Sequence, residues 1–557
     1  MKYTWIVLFF IVFLAFVLRL WNLGLTPPSP DWDEAALGYN AYSILVTGKD
    51  EYGTSFPLSL RSFDDYKPPL YVYLTVPSVA AFGLSLWSTR LPSAIMGILA
   101  VLGTFFLVRE LFRKSKNYEP ATKNYEPATN NLPIIASLLL AISPWHIQFS
   151  RIAFEANIGI TLNIWGAYLF LKGRTSSLAL SLSAFFFGLS LYAYHSERIF
   201  VPLFVALLAV LYWKELWTNK RRVFTAIIVG AVTIIPLVAV FTNPTTLMRL
   251  RGTSSLSDQT ALLADSVQLL ADDIKVGNRI GMLFDNRRIV WVKTVLDGYL
   301  SHFSLKWLFL NGDLPRHHAP DMGLLYLWEL PFLLYGMFYL LKTNNQQPVT
   351  LLLFGWLLIA PIAAAPTTGL PHAIRTLVFL PVFQIFTAVG IMACVSSIKY
   401  QVSSIKKSIY YFFAFGLFVF ALFNIVYYLH MYFVHMDREY SDYWQYGYKQ
   451  AVEYAESHKG QYKKIVVSTK LEQPHMFFLF YTKYDPKKYL AEGGTASGGF
   501  AEVKNHFDIY DFRPIQWDNE TKDGTTLYIG TPRDIPAGTL ETIHYLNGTD
   551  AIYITDK

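Results

Sequence analysis

The chain is organised around one loop, which opens with Asp31-Trp32-Asp33-Glu34 and closes with Tyr66-Lys67-Pro68-Pro69-Leu70-Tyr71. This first outer loop, residues 24–68, separates an apolar run that ends near Leu23 from a second that begins near Leu70. The loop contains seven acidic residues but only three basic ones. The acids are Asp31, Asp33, Glu34, Asp50, Glu51, Asp64 and Asp65, and the bases are Lys49, Arg61 and Lys67. Ionised groups beside lipid are costly unless they have a partner or a role. The pattern therefore predicts a catalytic centre at a membrane surface.

The composition is that of a multi-span membrane protein. Of the 557 residues, 53% are hydrophobic and 16% are charged, proportions that do not suit a soluble domain. Aromatic residues make up 17%, which suits belts of Trp and Tyr at the two interfaces. Lys and Arg in cytoplasmic loops explain the net charge of +7 without a nucleic-acid partner. With Cys394 as its single cysteine, the chain cannot form an intramolecular disulfide.

Twelve apolar segments approach the length of about 17–25 residues that a helix needs to cross a bilayer. They cover roughly 4–23, 69–86, 90–111, 132–149, 154–171, 177–194, 198–213, 223–241, 322–341, 349–365, 373–398 and 408–434. No small-residue cleavage site follows the first of them, so we interpret it as a retained span rather than a signal peptide.

Basic residues gather in the loops after the third, fifth, seventh and eleventh segments, which predicts that these loops are cytoplasmic. The alternate loops and the polar tail then face outward. This scheme conflicts with a full crossing by 69–86. Either that segment is broken or re-entrant, since it is short and contains Pro77, or another segment is wrongly assigned. We therefore expect an odd number of spans, between eleven and thirteen, in an inner or plasma membrane.

Two regions follow from this pattern, a transmembrane region over 1–436 and a soluble domain over 437–557. The residue pattern of the soluble part predicts a small α/β domain, with an amphipathic helix near 442–458. Strand-like runs then occur at 465–468, 526–530 and 551–554.

A long outer loop, 242–321, contains two stretches typical of helices that lie on the interface, 256–274 and 287–310. Long ordered loops are often functional. A heptapeptide repeated over 116–129 is too short for a repeat fold, and a duplication in a tolerant loop explains it.

Asp33 and Glu34 are the candidate catalytic residues. Single surface acids usually just face water, but these two follow a helix end amid apolar neighbours. A carboxylate in such a place can act as a general base on a hydroxyl group.

Cations recur on the same outward side. Lys67, with Tyr66 before it and two prolines after it, is either a lysine at a span end or a ligand for a phosphate. Further candidate substrate-binding residues are Arg90, His146, Arg151, His195, Arg198, His317, His372 and Arg375. Each alone is more often a helix-end anchor, yet together they would bind a lipid phosphate and neutralise it as it leaves. Their spacing matches no compact metal motif, so a divalent metal stays an open alternative.

The acidic loop around Asp33 and Glu34, the Tyr66-Lys67-Pro68-Pro69-Leu70 motif and Arg90-Leu91-Pro92-Ser93-Ala94 resemble the family 39 and family 83 glycosyltransferases of the GT-C fold. These families include protein O-mannosyltransferases, lipid A aminoarabinose transferases and RgtA/B/C/D-like enzymes. The similarity is strongest over roughly 1–215, weak over Ser304–His318 and His372–Arg375, and does not include the tail.

The resemblance implies an inverting glycosyltransferase that takes a sugar from a polyprenyl-phosphate donor at the outer face of the membrane. Asp33 would be its catalytic carboxylate, with Glu34 beside it. Aminoarabinose transferases have glutamate where this chain has Tyr66, so a metal or donor contact of that glutamate is not carried over. The acceptor would be a glycan, a lipid or a protein hydroxyl. The alternative is a lipid-linked sugar flippase, which would need ionisable residues along a path through the spans.

Overall fold

The computed structural model describes residues 2–63, 65–113, 126–241, 252, 254–257, 259–343, 347–401, 404–498, 504–536 and 540–557. Asp64, most of the repeated heptapeptide and the start of the long outer loop at 242–251 lie outside the described residues.

The described chain is mainly helical. Its helices are α1 Lys2–Leu20, α2 Trp32–Thr47, α3 Leu70–Phe82, α4 Leu86–Leu111, α5 Glu126–Ile142, α6 Pro144–Arg151, α7 Ala156–Gly173, α8 Ser177–Ser190, α9 Glu197–Leu211, α10 Trp213–Thr218, α11 Lys220–Phe241, α12 Gln259–Val276, α13 Arg279–Phe284, α14 Arg287–Ser301, α15 Glu329–Lys342, α16 Gln347–Ile359, α17 Val382–Gln401, α18 Ser404–His430, α19 Met436–Glu439, α20 Tyr448–His458, α21 Pro474–Thr482 and α22 Pro486–Ala491. The strands are β1 Leu60–Ser62, β2 Asp65–Lys67, β3 Lys464–Ser468, β4 Asn505–Phe507, β5 Tyr510–Arg513, β6 Thr526–Gly530, β7 Glu541–His544 and β8 Asp550–Thr555.

Several helices have the length and composition of membrane spans. Within the described ranges, five qualify without a break: Tyr3–Leu20, Leu86–Leu111, Lys220–Val240, Leu377–Ser396 and Tyr411–Glu439. The bent pair Asn131–Ile142 and Pro144–Arg151, which meet at 56°, makes a sixth if counted as one span. Other predicted segments form shorter apolar helices, so the count of eleven to thirteen stays a prediction.

Helix α3 bears on the conflict over the segment 69–86. It has 13 residues, with Pro77 inside it, so its length is about 20 Å. A hydrocarbon layer is about 30 Å thick, and α3 alone is too short to cross it. The broken or re-entrant alternative therefore fits this helix better than a full crossing does.

The tail folds as the small α/β unit that the sequence predicts. Its six strands lie in the order β4-β5-β3-β6-β8-β7, with β3 parallel to both β5 and β6 and the other pairs antiparallel. The three strand-like runs are β3, β6 and β8. The amphipathic helix is confirmed as α20, which begins at Tyr448 rather than 442, after Gly447 at φ +112°.

The tail packs directly on the first outer loop. Tyr39 of α2, Tyr71 of α3 and Phe477 of α21 belong to one buried cluster with the sheet's apolar side chains. A Cβ placed on Gly38 would lie 2.6 Å from the Phe480 ring and 2.6 Å from the Thr89 hydroxyl. Glycine at this position therefore lets α2 fit between α4 and α21.

Candidate active site

Asp31 begins the site by capping α2. Its Oδ1 accepts the backbone N–H of Glu34 at 2.9 Å, the usual bond of an acidic N-cap. Its Oδ2 accepts Arg316 Nη1–H at 2.9 Å, and the Arg316 guanidinium also lies over the Trp32 ring. Burial raises the pKa of Asp31 to about 7; the Arg316 charge opposes this rise, while Asp33 and Glu34 add to it.

Asp33 is partly exposed and pairs with Lys67, which is buried. The Lys67 ammonium donates to Asp33 Oδ1, and 31% of the Asp33 side chain is exposed. Burial alone would lower the pKa of Lys67, but the charges of Asp33 and Glu155 outweigh it and raise that pKa. Lys67 therefore stays charged beside an accessible carboxylate.

A short chain of hydrogen bonds, the His195–Arg198 relay, holds Lys67 in place. His195 Nε2–H donates to the carbonyl of Tyr66 at 2.9 Å, and His195 Nδ1 accepts from Arg198 Nη1 at 3.3 Å. Because Tyr66 lies in β2 directly before Lys67, His195 and Arg198 fix the strand that presents the ammonium. The structure thus brings these four predicted residues together with Asp33.

Glu34 lies on the inner side of the same helix turn and is fully buried. Its two oxygens accept Arg90 Nε–H at 2.8 Å and Nη2–H at 2.7 Å, and Oε1 also accepts the backbone N–H of Ala153. The other three N–H groups of Arg90 donate to carbonyls within 23–29. This geometry suits Glu34 and Arg90 to fixing the loop, rather than to touching a ligand.

Arg151 and His146 are also buried among helices. Arg151 donates to Tyr432 Oη and to two backbone carbonyls, at 3.0–3.2 Å. His146 Nδ1 accepts Arg19 Nη2–H at 2.7 Å. Both contacts join the ends of packed helices.

A second cluster lies beside Arg316. Asp313 Oδ2 accepts His317 Nδ1–H at 2.7 Å and the backbone N–H of Ala373 at 2.7 Å. Asp313, His317 and His372 each offer a ligand atom, and these atoms lie within 4.8 Å of one another. Nδ1 of His372 is buried and has no hydrogen-bond partner among the residues that the structure describes.

The donor set of this cluster fits a divalent metal. Two imidazoles and a carboxylate are a donor set that suits zinc. Burial lowers the pKa of His372 to about 2, and the nearby His317 and Arg375 also lower this pKa. The imidazole of His372 is therefore neutral and able to bind a metal ion. Arg375 itself donates to Thr367 Oγ1 and to the carbonyl of Thr368.

The C-terminal tail supplies one further contact. Gln445 Oε1 accepts the backbone N–H of Trp32 at 2.9 Å, between Asp31 and Asp33. Ser29 Oγ donates to the Gln445 carbonyl at 3.4 Å. Gln445 has φ +49°, a conformation that side-chain-bearing residues rarely adopt and that often occurs at functional sites.

Four residues at the site were not among the sequence candidates: Glu155, Asp313, Arg316 and Gln445. Arg316 and Glu155 belong to the same clusters of charged residues near span ends as the candidates His317 and Arg151, and that pattern is their signal. Asp313 is four residues before His317, a spacing that places both on one turn. Nothing in the sequence marks Gln445, because its role depends on the tail meeting a loop some 400 residues earlier.

The sequence matches no protein-family model and no curated protein. Solved structures do resemble it, and they give the class of protein: the chain has the GT-C fold and is a multi-pass membrane protein. The fold expected from the sequence motifs is thus confirmed.

Two solved structures of ArnT from Cupriavidus metallidurans match over nearly their whole length. The form bound to undecaprenyl phosphate has 13% identity and a TM-score of 0.53, with 99% of this chain and 98% of that chain covered. The apo form has 13% identity and a TM-score of 0.52, with 99% and 97% covered. The apo oligosaccharyltransferase of Archaeoglobus fulgidus has 15% identity and a TM-score of 0.50; 86% of this chain and 63% of that chain are covered.

Proposed function

We propose that this protein is an inverting glycosyltransferase that moves a sugar from a polyprenyl-phosphate donor to an acceptor hydroxyl at the outer face of the membrane. The observation that carries the proposal is the accessible Asp33 carboxylate held against the charged Lys67, with Arg316 beside the same helix start. The GT-C fold, and a structure of that fold bound to undecaprenyl phosphate, support a lipid-phosphate donor.

In the proposed reaction, Asp33 accepts the proton of the acceptor hydroxyl. That oxygen attacks the first carbon of the sugar and forms the new glycosidic bond, while the bond from this carbon to the phosphate oxygen breaks. The pair of electrons leaves with the polyprenyl phosphate, whose charge Lys67 and Arg316 neutralise. A positioned base contributes about 10²–10⁴-fold to the rate, and preorganised cations add a comparable factor.

Attack from the face opposite the phosphate places the acceptor hydroxyl and the leaving phosphate on different sides of the sugar. Lys67 bonds Asp33 at one oxygen, Oδ1. We infer that this bond orients the carboxylate. Glu34, Arg90 and the His195–Arg198 relay hold the loop, and they act through Asp33 and Lys67.

A divalent metal has a place in this proposal but no required step. Asp313, His317 and His372 would hold it. It would supply positive charge next to Arg316, on the side where the phosphate is expected.

The test is the Asp33→Asn variant of the full chain, purified in detergent and incubated with radiolabelled polyprenyl-phosphate sugars and a panel of acceptors. A glycan profile of cells with and without the gene selects that panel. We expect wild type and the exposed control Asp442→Asn to form product, and Asp33→Asn to lose at least about 10²-fold in rate. Transfer by Asp33→Asn at the native rate would overturn the mechanism. A wild-type protein that forms no product but moves the donor across vesicles would establish a flippase instead.

A further inference from the structure

The last long helix ends in a cluster of side chains that the proposed reaction does not use. Helix α18 continues through one wide turn, Met431–His435, into α19, and the N–H of Met436 bonds the carbonyl of Met431, five residues earlier. Residues five apart therefore share a face in this turn, and such turns recur at functional sites. Here the shared face carries His430 and His435.

The two imidazoles meet at their outer nitrogens. Nε2 of His430 and Nε2 of His435 are 3.1 Å apart, with ring centroids at 4.8 Å and ring planes at 70°. Glu439 Oε1 accepts Nδ1–H of His435 at 2.8 Å. Because this bond holds the His435 proton on Nδ1, Nε2 of His435 presents a lone pair toward His430.

We propose that His430 and His435 bind a divalent transition metal of the zinc class through their Nε2 atoms, with Glu439 orienting His435 and water completing the coordination. Zinc–nitrogen bonds are about 2.0–2.1 Å long, so two nitrogens 3.1 Å apart subtend about 95–102° at a shared ion. That angle lies between the octahedral and tetrahedral values. Imidazole ligands favour Zn²⁺, Cu²⁺ and Ni²⁺ over Mg²⁺ and Ca²⁺.

The carboxylate–histidine arrangement supports a metal more than an isolated imidazole pair would. Metal-ligating histidines commonly donate their other N–H to a carboxylate, which fixes the tautomer and the ring orientation. Glu439 does this for His435. The side chains of His435 and Glu439 are 38% and 43% exposed at the C-terminal end of this helical segment, so an ion can reach them from the protein surface.

The inner face of the same segment contacts Arg151 and Thr26. Tyr432 accepts from Arg151, and Asp437 accepts from Thr26 Oγ1 at 2.8 Å. A metal that joins His430 to His435 would fix the wide turn between them. It would thereby stiffen the contacts of Tyr432 and Asp437 with the segment that leads into α2.

The experiment measures metal binding by the full chain in detergent, independently of any transferase activity. Metal-free protein is titrated with Zn²⁺ in the presence of a competing chromophoric chelator. We expect His430→Gln/His435→Gln to bind one equivalent fewer than wild type. His506→Gln, an exposed histidine of β4, is the matched control and should bind as wild type does. His317→Gln separates this equivalent from any ion at the Asp313 cluster.

Glu439→Gln tests the orienting role. Loss of such an outer partner typically weakens metal binding by about 10–100-fold, and we expect a decrease in that range. If wild type and the double variant bound the same number of Zn²⁺ ions, the proposal would be overturned. The contact between the two imidazoles would then be a direct hydrogen bond. Unchanged affinity in Glu439→Gln would overturn the assigned geometry. Because all three side chains are at least partly exposed, melting of the metal-free variants should match that of wild type, which confirms folding.

Discussion

Arg90 donates a hydrogen bond to each carboxylate oxygen of Glu34, and neither side chain is exposed to solvent. The pair joins the start of α4 to the first turn of α2, one residue from Asp33. A buried ion pair adds little net stability compared with an apolar pair, but removal of one partner leaves an uncompensated charge. Glu34 and Arg90 are therefore suited to fixing the loop geometry.

This pair gives a stability prediction. Arg90→Met should lower the free energy of unfolding by about 3–5 kcal/mol, because it strands the buried Glu34 charge. Denaturant unfolding in mixed micelles, followed by tryptophan fluorescence, measures the change. Lys449→Met is the control: its pair with Glu453 is exposed, so at most about 1 kcal/mol should be lost. Equal losses in the two variants would contradict the assigned role.

Lys67 should be needed for the chemical step rather than for folding. Lys67→Met removes the cation beside Asp33 and the expected phosphate partner. We expect single-turnover transfer to fall by about 10²–10³-fold, the usual loss when one preorganised donor is removed. Binding of undecaprenyl phosphate should weaken in parallel, and Lys449→Met should leave both quantities unchanged. A Lys67→Met enzyme with native turnover would refute a role for this cation.

Asp31 predicts a pH dependence of stability. Its pKa is raised from 3.8 to about 7 in the folded chain, so the folded state binds the proton more tightly than the unfolded state. Ionisation of Asp31 therefore disfavours folding, and the free energy of unfolding falls as pH rises from about 4 to about 7. Asp31→Asn keeps an acceptor for the N–H of Glu34 but cannot ionise.

The measurement is thermal unfolding in detergent between pH 4 and pH 8. Wild type should lose stability relative to Asp31→Asn as pH rises through this window, and the difference should become constant above it. Asp442→Asn, at an exposed site, should show no pH-dependent difference. A constant offset between wild type and Asp31→Asn would mean that Asp31 does not titrate there.

From the position of Gln445 we predict that the C-terminal tail contributes to the site. Gln445→Ala removes the acceptor for the N–H of Trp32, so the first turn of α2 should exchange amide hydrogens faster. We expect lower turnover with little change in donor affinity, because the variant loosens Asp33 and leaves the cations in place. Gln516→Ala, an exposed change in the same domain, is the control. Unaltered exchange in Trp32–Leu37 would argue against this contact as a positioning element.

We predict that the Asp313 cluster binds one metal ion, in addition to the ion proposed at His430 and His435. His372→Ala removes a neutral buried ligand, and the variant should bind one Zn²⁺ fewer than wild type in equilibrium dialysis. His458→Ala, at a surface helix end, should bind as wild type does. Retention of full stoichiometry by His372→Ala would show that these residues hold no ion.

Much of the site could be anticipated from local pattern. Asp33 and Lys67 lie at the two ends of the first outer loop, and the structure pairs them. His195 bonds the carbonyl of Tyr66, directly before Lys67, and Arg198 bonds His195. In contrast, Arg90, His146 and Arg151 share the sequence features of ligand contacts, namely a cation near a span end, yet they are buried in contacts between packed helices. A sequence shows that a cation stands at a helix end, but not whether its N–H groups face a cavity or a neighbouring carbonyl.

By itself, the sequence determined that this is a multi-span helical protein with an acidic loop after its first apolar helix and an α/β tail. These properties follow from hydrophobic periodicity, run length and turn residues, all of which act over a few neighbouring positions. The tertiary structure alone decided which acid is accessible. Asp33 and Glu34 are neighbours in the sequence, and only the packing of α2 shows which of the two lies on its buried face. It also decided that Arg316 reaches Asp31 and that Gln445 holds Trp32, since contacts across hundreds of residues depend on how the helices pack.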